Sequence, residues 1–349
     1  MQAFPKDLLS WYDKNKRSLP WRDVVIPYRT WISEVMLQQT RVETVLPYFD
    51  RFMKRFPTVE DLAAAPEDDV LSMWSGLGYY SRARNMHASS KMIVAAGRFP
   101  STLVEIRQLP GVGEYIAGAI ASIAFGLDEP AVDGNLHRVL SRIYCDGGNR
   151  KAIISIAKKI LPTGRAGDFN QALMDLGSKI CKPKKPHCTA CPVEKHCKAN
   201  DTGQVLMFPV KAKKKKAPQR TAVAAVIWSN DEILLCRRPS TGLYGGLYDF
   251  PGGILNNGEA DDDGLKRLLK ERLDVKVKTF SSIGSVKHTL THMKLTLQVI
   301  SVEFEGQPKS DHYTHMRWVK PQSLGTIGVS TLATKALDLL GQPQKTLFN

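Results

Sequence analysis

No stretch of the 349 residues comes near the roughly 18 to 20 consecutive apolar positions that a membrane-spanning helix needs. Mean hydropathy is only −0.23, so a helical membrane protein is excluded. Cysteines are few, six in all, and four of them fall between Cys181 and Cys197, which excludes a disulfide-stapled secreted scaffold. An internal repeat is also absent. Residues 1–17 lack the apolar stretch and small-residue cleavage site of a secretion signal, and Asp7 and Asp13 argue against an organelle transit peptide. The expected location is the cytoplasm, where thiols stay reduced. The length suggests two domains, each able to bury its own core.

Acidic residues are outnumbered, 34 against 49 Lys and Arg, for a formal charge of +15. Position matters more than the total. Residues 1–133 carry −1, residues 134–220 carry +14 and residues 221–349 carry +2. A block so basic is expected to face a polyanion, because each phosphate it neutralises releases counterions. Between Arg138 and Lys185 the cations alternate with apolar residues at helical spacing, which predicts a folded basic face. The run Lys211–Lys216, taken alone, reads as a solvated tail.

Up to about residue 200 the chain reads as helical. Thr40 and Glu43 form a capping-box pattern ahead of the stripe Val42, Val45, Leu46 and Phe49. Leu136, Val139, Leu140 and Ile143 predict a helix starting just after Asp133. Residues 201–220 have few apolar positions and several breakers, and read as a basic linker. From residue 221 to 349 the pattern is α/β. Residues 221–228 and 232–236 suggest a hairpin turning at Ser229–Asp231, followed by a Gly-rich loop over 242–253, a helix over 263–273 and a strand through Leu295, Leu297 and Val299.

Cys181, Cys188, Cys191 and Cys197 follow the spacing Cys-x6-Cys-x2-Cys-x5-Cys. Four thiolates this close need a metal, and spacing alone leaves zinc and iron–sulfur both open. Cys145 and Cys236 stand apart and are expected in a core. Leu109-Pro110-Gly111-Val112-Gly113 lies between two helical stretches within 101–126. Its glycines permit a tight turn, and the helix after it offers free N–H groups suited to a phosphate, the geometry of a helix-hairpin-helix. Two acids stand out. Burial in the apolar helix around Glu34 should raise its pKa and keep it protonated as a general acid, whereas a helix N-terminus should keep Asp133 ionised. Such a pair suits cleavage through an oxocarbenium-like transition state.

These residues together resemble the helix-hairpin-helix DNA glycosylase superfamily and its endonuclease III-like members. Within it, residues 33–40, 76–80 and 132–135 and the appended α/β domain resemble the adenine DNA glycosylases, which remove adenine mispaired with 8-oxoguanine or guanine. The resemblance implies a multidomain chain: an all-α catalytic domain over 1–200 with a cysteine loop at 181–197, the linker at 201–220, and a Nudix-like lesion-recognition domain over 221–349. It implies one four-iron four-sulfur (4Fe-4S) cluster per chain on Cys181, Cys188, Cys191 and Cys197. It assigns proton donation to Glu34, stabilisation of the sugar cation to Asp133, and a supporting place to Asn135. Tyr115 stands where bifunctional glycosylase-lyases carry a lysine; a tyrosine forms no Schiff base, so a monofunctional hydrolase is expected. Trp21, Arg22 and Gln171 match the adenine pocket. Gln39, Thr40 and Tyr79 match residues at the opened stack, and Gly111, Val112 and Gly113 match the hairpin on the DNA backbone.

In the Nudix-like domain, aligning Gly253, Glu259 and Arg267 to the catalytic box puts Leu268 and Arg272 where glutamates belong, leaving Glu271. So few carboxylates should not hold magnesium. Base recognition is expected instead, through His288–His292, with Leu290, Thr291 and His292 at the usual Phe-Ser-His positions. The implied partner is double-stranded DNA bearing A:8-oxoguanine or A:G mispairs, bound by a monomer associated with the nucleoid and not with a membrane. A sliding clamp and mismatch-repair proteins are candidate partners. The rivals are a pyrimidine glycosylase of the same superfamily, a non-enzymatic iron–sulfur DNA binder and a nucleotide hydrolase.

Overall fold

The computed structural model describes residues 3–147, 149–210, 217–290 and 293–341. The chain forms two compact units, Met1–Ala64 with Asn85–Lys213, and Ala65–Arg84 with Lys214–Asn349. Dividing the chain at residues 200 and 221 does not anticipate the excursion of Ala65–Arg84 into the second unit. Long-range ion pairs support it, since Glu67 and Asp68 both meet Arg237 at 3.0 Å. No helix among the described residues is long and apolar enough to cross a membrane.

The described part of the first unit is helical. The stripe at Leu136, Val139, Leu140 and Ile143 is buried in the helix Gly134–Tyr144, where it packs with Phe4, Leu8 and Leu9 of Ala3–Asn15 and with Phe169, Leu173 and Leu176 of Ala166–Lys179. Asp133 is its N-cap, with Oδ1 accepting from the Leu136 N–H at 2.7 Å. The capping box expected at Thr40 does not form. Helix Val42–Arg55 is capped by Arg41 without a side-chain bond, because Gln39 turns the chain at φ 55° and leaves the Thr40 hydroxyl donating to Gln38 O. A capping box does occur at Thr102 and Glu105, opening Leu103–Arg107, the first helix of the expected hairpin. Gly111, at φ 75°, makes the turn into Glu114–Ala124; a Cβ there would lie 2.8 Å from Asn85.

In the second unit, Gln219–Val226 runs parallel to Lys294–Glu305, flanked by Gly252–Ile254 and by Lys276–Thr289. Alternation along the parallel pair sends Ala222, Ala224, Leu297 and Val299 to one face, toward helix Thr331–Leu340, and Val223, Ala225 and Ile300 to the other, toward Asp261–Leu273. The expected hairpin is shorter than its sequence pattern. On the side of the expected first strand, Trp228–Ser229 alone pairs with Glu232–Arg237, in a second sheet that also holds Tyr248–Asp249 and His315–Val319, because Gln219–Val226 belongs to the first sheet. Cys236 is buried as expected, whereas Cys145 is half-buried at a helix C-cap with φ 52°.

Candidate active site

A cavity of about 390 Å³ in the first unit is lined by Trp21, Arg22, Glu34, Thr40, Tyr115, Asp133, Asn135 and Gln171. These residues come from segments up to 150 residues apart in the chain, and all were singled out from sequence. Trp21 is buried on the short helix Pro20–Asp23 and meets Phe49 edge-on at 5.2 Å, so it serves both core and wall. Glu34, 4 % exposed, sits in Pro27–Leu37 and accepts a hydrogen bond at Oε2 from the Tyr115 hydroxyl. Tyr115 is on the first turn of Glu114–Ala124, so the hairpin itself aims it at Glu34.

Burial pushes Glu34 up to about 7, against the lowering effect of the Tyr115 bond. Asp133 departs from the sequence expectation of opposite shifts. Burial raises its pKa as well, outweighing the Leu136 N–H and Asn135 bonds that lower it. The bonds at the helix N-terminus moderate the shift of Asp133 without reversing it, because the burial of its carboxyl outweighs them. The two acids still differ in kind: Asp133 accepts from Leu136 N at 2.7 Å and Asn135 Nδ2 at 2.8 Å, bonds that favour its ionised form.

Sequence reading missed the groups that fix this arrangement. Asp175, fully buried, accepts from Arg22 Nη1 at 2.8 Å and Nη2 at 3.2 Å and from Arg17 Nε at 2.8 Å. Its signal in the sequence is its place one helical turn after Gln171, as one of five acids in the basic block. Asn170 and Arg150 hold the loop before Asp133, through Ala131 N at 3.1 Å and Val132 O at 2.7 Å. Arg138 joins two regions, donating to Asn135 Oδ1 at 2.9 Å and to Cys181 O at 2.8 Å.

Two arginines of the basic block turn inward, although Arg150 stays exposed. Arg142, 1 % exposed, donates to Phe208 O, Lys182 O and Pro183 O and, at 3.2 Å, to Cys181 Sγ. Arg138 and Arg142 therefore face inward, which corrects the expectation that they belong to an outward basic face. Lys151, Lys158, Lys159, Lys179, Lys184 and Lys185 are exposed. The guanidinium fork suits buried carbonyls, and the ammonium stays in water. Lys211–Lys216 lie outside the described residues. All four clustered cysteines line one small pocket beside Arg142, and Cys181, Cys191 and Cys197 pack on the helical core.

Gln39 and Tyr79 lie outside the acid-lined cavity. Each is exposed and each holds a left-handed backbone, φ 55° and φ 49°. Gly111 and Gly113 are exposed on the hairpin, with Val112 tucked in and its N–H bonded to Leu109 O. In the second unit a cavity of about 670 Å³ is lined by Tyr79, Tyr80, Tyr244, His288 and Leu290. His288 Nε2 lies 2.9 Å from the Tyr244 hydroxyl. Thr291 and His292 lie outside the described residues. At the Nudix box, Arg267 binds Glu259 at 2.6 and 2.7 Å and Glu271 at 3.0 Å, and Arg272 donates to Gly252 O. Carboxylates already shared by one arginine, beside a second guanidinium, do not fit a magnesium ion.

Residues 32–163 match the HhH-GPD superfamily of base excision DNA repair proteins, and residues 222–339 match the NUDIX domain. The chain is 35% identical to adenine DNA glycosylase of Homo sapiens over 95% of its own length and 73% of the relative's. It is likewise 35% identical to the adenine DNA glycosylase of Buchnera aphidicola subsp. Baizongia pistaciae, over 96% of each. A thermostable thymine-DNA glycosylase superposes with a TM-score of 0.53 at 30% identity, over 57% of this chain and 95% of that one. An endonuclease III in a non-covalent DNA complex, 23% identical with a TM-score of 0.50 over 57% and 94%, shares the fold. With a helix-hairpin-helix unit, a cavity pairing two acids and relatives matched along almost all of its own length, the chain belongs to the adenine DNA glycosylase family of base excision repair.

Proposed function

We propose that the chain hydrolyses the N-glycosidic bond of adenine mispaired with 8-oxoguanine or guanine in duplex DNA, as a monofunctional glycosylase. The observation that carries this reading is the single cavity holding Glu34, Asp133 and Tyr115 together with Trp21, Arg22 and Gln171. An adenine must leave the stack to enter it. Gln39 and Tyr79 are each read as a residue that inserts into the opened duplex, and Thr40 lines the cavity. Glu34, protonated near neutrality, gives its proton to a ring nitrogen of the base. The C1′–N9 electron pair then departs with a neutral adenine, and the Asp133 carboxylate stabilises the sugar cation until water adds at C1′ and loses a proton.

Cys181, Cys188, Cys191 and Cys197 are the residues that would hold a 4Fe-4S cluster; bound there, it would supply a rigid, electron-rich anchor for the loop 181–197. Their shared pocket and the Arg142 donor to Cys181 Sγ fit a group of several thiolates, whose charge the guanidinium offsets. Gly111 and Gly113, exposed on either side of the inward-turned Val112, would present backbone N–H groups to a phosphate, with the exposed lysines of residues 151–185 adding charge. The cavity at His288–Leu290 would read the base opposite adenine. We place the enzyme in the cytoplasm, on nucleoid DNA.

The test is single-turnover release of adenine from duplexes carrying 8-oxoguanine, guanine or thymine opposite it. Fast release opposite 8-oxoguanine and guanine, and slow release opposite thymine, is expected. Equal rates opposite all three would overturn the recognition role of the second unit, and no release at all would overturn the activity.

A further inference from the structure

Arg82 is buried, 8 % exposed, and is not among the residues that line the acid-lined cavity. It follows Tyr79 by three residues, and Tyr79 is exposed in the segment Gly76-Leu77-Gly78-Tyr79-Tyr80, whereas Leu77 and Tyr80 are buried. Its Cζ lies 5.3 Å from the Trp74 ring and 5.4 Å from the Tyr79 ring, so the guanidinium is between a fully buried indole and an exposed phenol. Nη2 donates to Leu77 O at 3.3 Å and to Gly78 O at 3.1 Å, and the Arg82 N–H donates to Tyr79 O at 2.9 Å. Trp74 Nε1 donates to the same Gly78 carbonyl at 3.1 Å, and the Gly76 N–H donates to the Tyr80 hydroxyl at 3.1 Å.

These bonds hold a turn with three left-handed residues, Gly76 at φ 91°, Gly78 at φ 75° and Tyr79 at φ 49°. Tyrosine enters that region at a cost, so the surrounding structure must impose it. Burial lowers the Arg82 pKa to about 10, which still leaves it charged at neutral pH and able to attract both ring faces. Lysine has neither the planar fork for two carbonyls nor the flat face for two rings.

We infer that Arg82 is a positioning residue that holds Tyr79 as a preformed rigid wedge, so that opening the stack at the mispair depends on Arg82 although Arg82 itself need not touch the base. This rests on the reading of Tyr79 as a residue inserted into the stack. A wedge set in advance avoids ordering a long side chain at the moment the duplex opens.

The experiment uses the full chain with Glu34→Gln added to stop excision, and a duplex carrying an A:8-oxoguanine mispair with 2-aminopurine beside the adenine. At saturating protein, Arg82→Lys is expected to reduce the fluorescence gain of unstacking about tenfold, and Tyr79→Ala to do the same. Affinity for a duplex that already carries an abasic site in place of the adenine should change less than about threefold, because no stacked base remains to be displaced there. That second measurement also reports a folded variant. A full fluorescence gain with Arg82→Lys, or an equal loss of affinity for the abasic duplex, would overturn the proposal. If Tyr79→Ala keeps the full gain, the wedge reading of Tyr79 fails, whatever Arg82→Lys does.

Discussion

Arg22 grips both oxygens of Asp175, at 2.8 and 3.2 Å, and thereby stands fixed at the wall of the cavity that holds Glu34. Arg17 completes the arrangement from the other side, so one buried carboxylate orients two cations.

Replacing Asp175 by Asn leaves two guanidinium groups without their counter-charge. A stability loss of about 3 kcal/mol is expected in thermal denaturation, and single-turnover excision should fall about 100-fold as Arg22 loses its pose. Both arginines keep the Asp175 carboxyl below its ordinary pKa of 3.8, against the effect of burial. Its stabilisation is therefore full above about pH 4 and is lost as pH falls further. A variant within twofold of wild type in both measurements would show that the pair does not organise the cavity.

Glu34 titrates in the opposite sense. Held up to about 7, it is protonated below neutrality, so excision should decline as pH rises through about 7. Glu34→Gln should abolish excision and, on the acid side of neutrality, leave binding intact. Because the folded pKa lies above the ordinary 4.5, ionising Glu34 costs stability as pH rises between the two values. The glutamine variant should be more stable than wild type by up to about 3 kcal/mol above pH 8, and the advantage should vanish below about pH 4.5. A flat pH–rate profile from pH 6 to 9 would remove Glu34 from the role of acid.

Tyr115 occupies the hairpin position facing both acids, and burial raises its pKa well above 10. A phenol so held cannot form an imine with C1′ of the sugar. Borohydride should therefore trap no covalent complex in good yield at the normal substrate, and strand scission should require added base. Efficient trapping would mean that an amine elsewhere in the chain reaches the sugar.

Arg142 ties the cysteine loop to the helix Gly134–Tyr144 through the carbonyls of Cys181, Lys182 and Pro183 and the Cys181 sulfur, and it also holds Phe208 O. Arg142→Ala leaves those carbonyls unpartnered, at about 1 to 3 kcal/mol for each that stays buried. The variant should lose visible iron–sulfur absorbance and bound iron faster than wild type in a chelator. Unchanged iron retention would show that the guanidinium is not a support of the site.

Much of the catalytic helix bundle was legible because it is written locally. The stripe at Leu136, Val139, Leu140 and Ile143 specifies a helix, and Asp133 caps it; the cysteine spacing and the glycines of the hairpin are likewise contained in short windows. The failures were of another kind. Thr40 carries a capping pattern that the left-handed Gln39 overrides, and the strand before Trp228 ends at Val226 because its partner is Lys294–Glu305, some 70 residues away. Asp133 was expected to be held ionised by its own helix, whereas burial of its carboxyl raises its pKa.

The sequence by itself determined which chemistry is available: two acids, a tyrosine in place of a lysine, four clustered thiols and a Nudix box with too few carboxylates. Those depend on residue identity and spacing along the chain. Only the tertiary structure decided that Asp175 orients Arg17 and Arg22, that Arg138 and Arg142 face inward while the lysines face water, and that Ala65–Arg84 belongs to the second unit. Hydrogen bonds and burial between residues up to 158 positions apart leave no periodicity in a sequence, because the desolvation that selects them arises only when the elements pack.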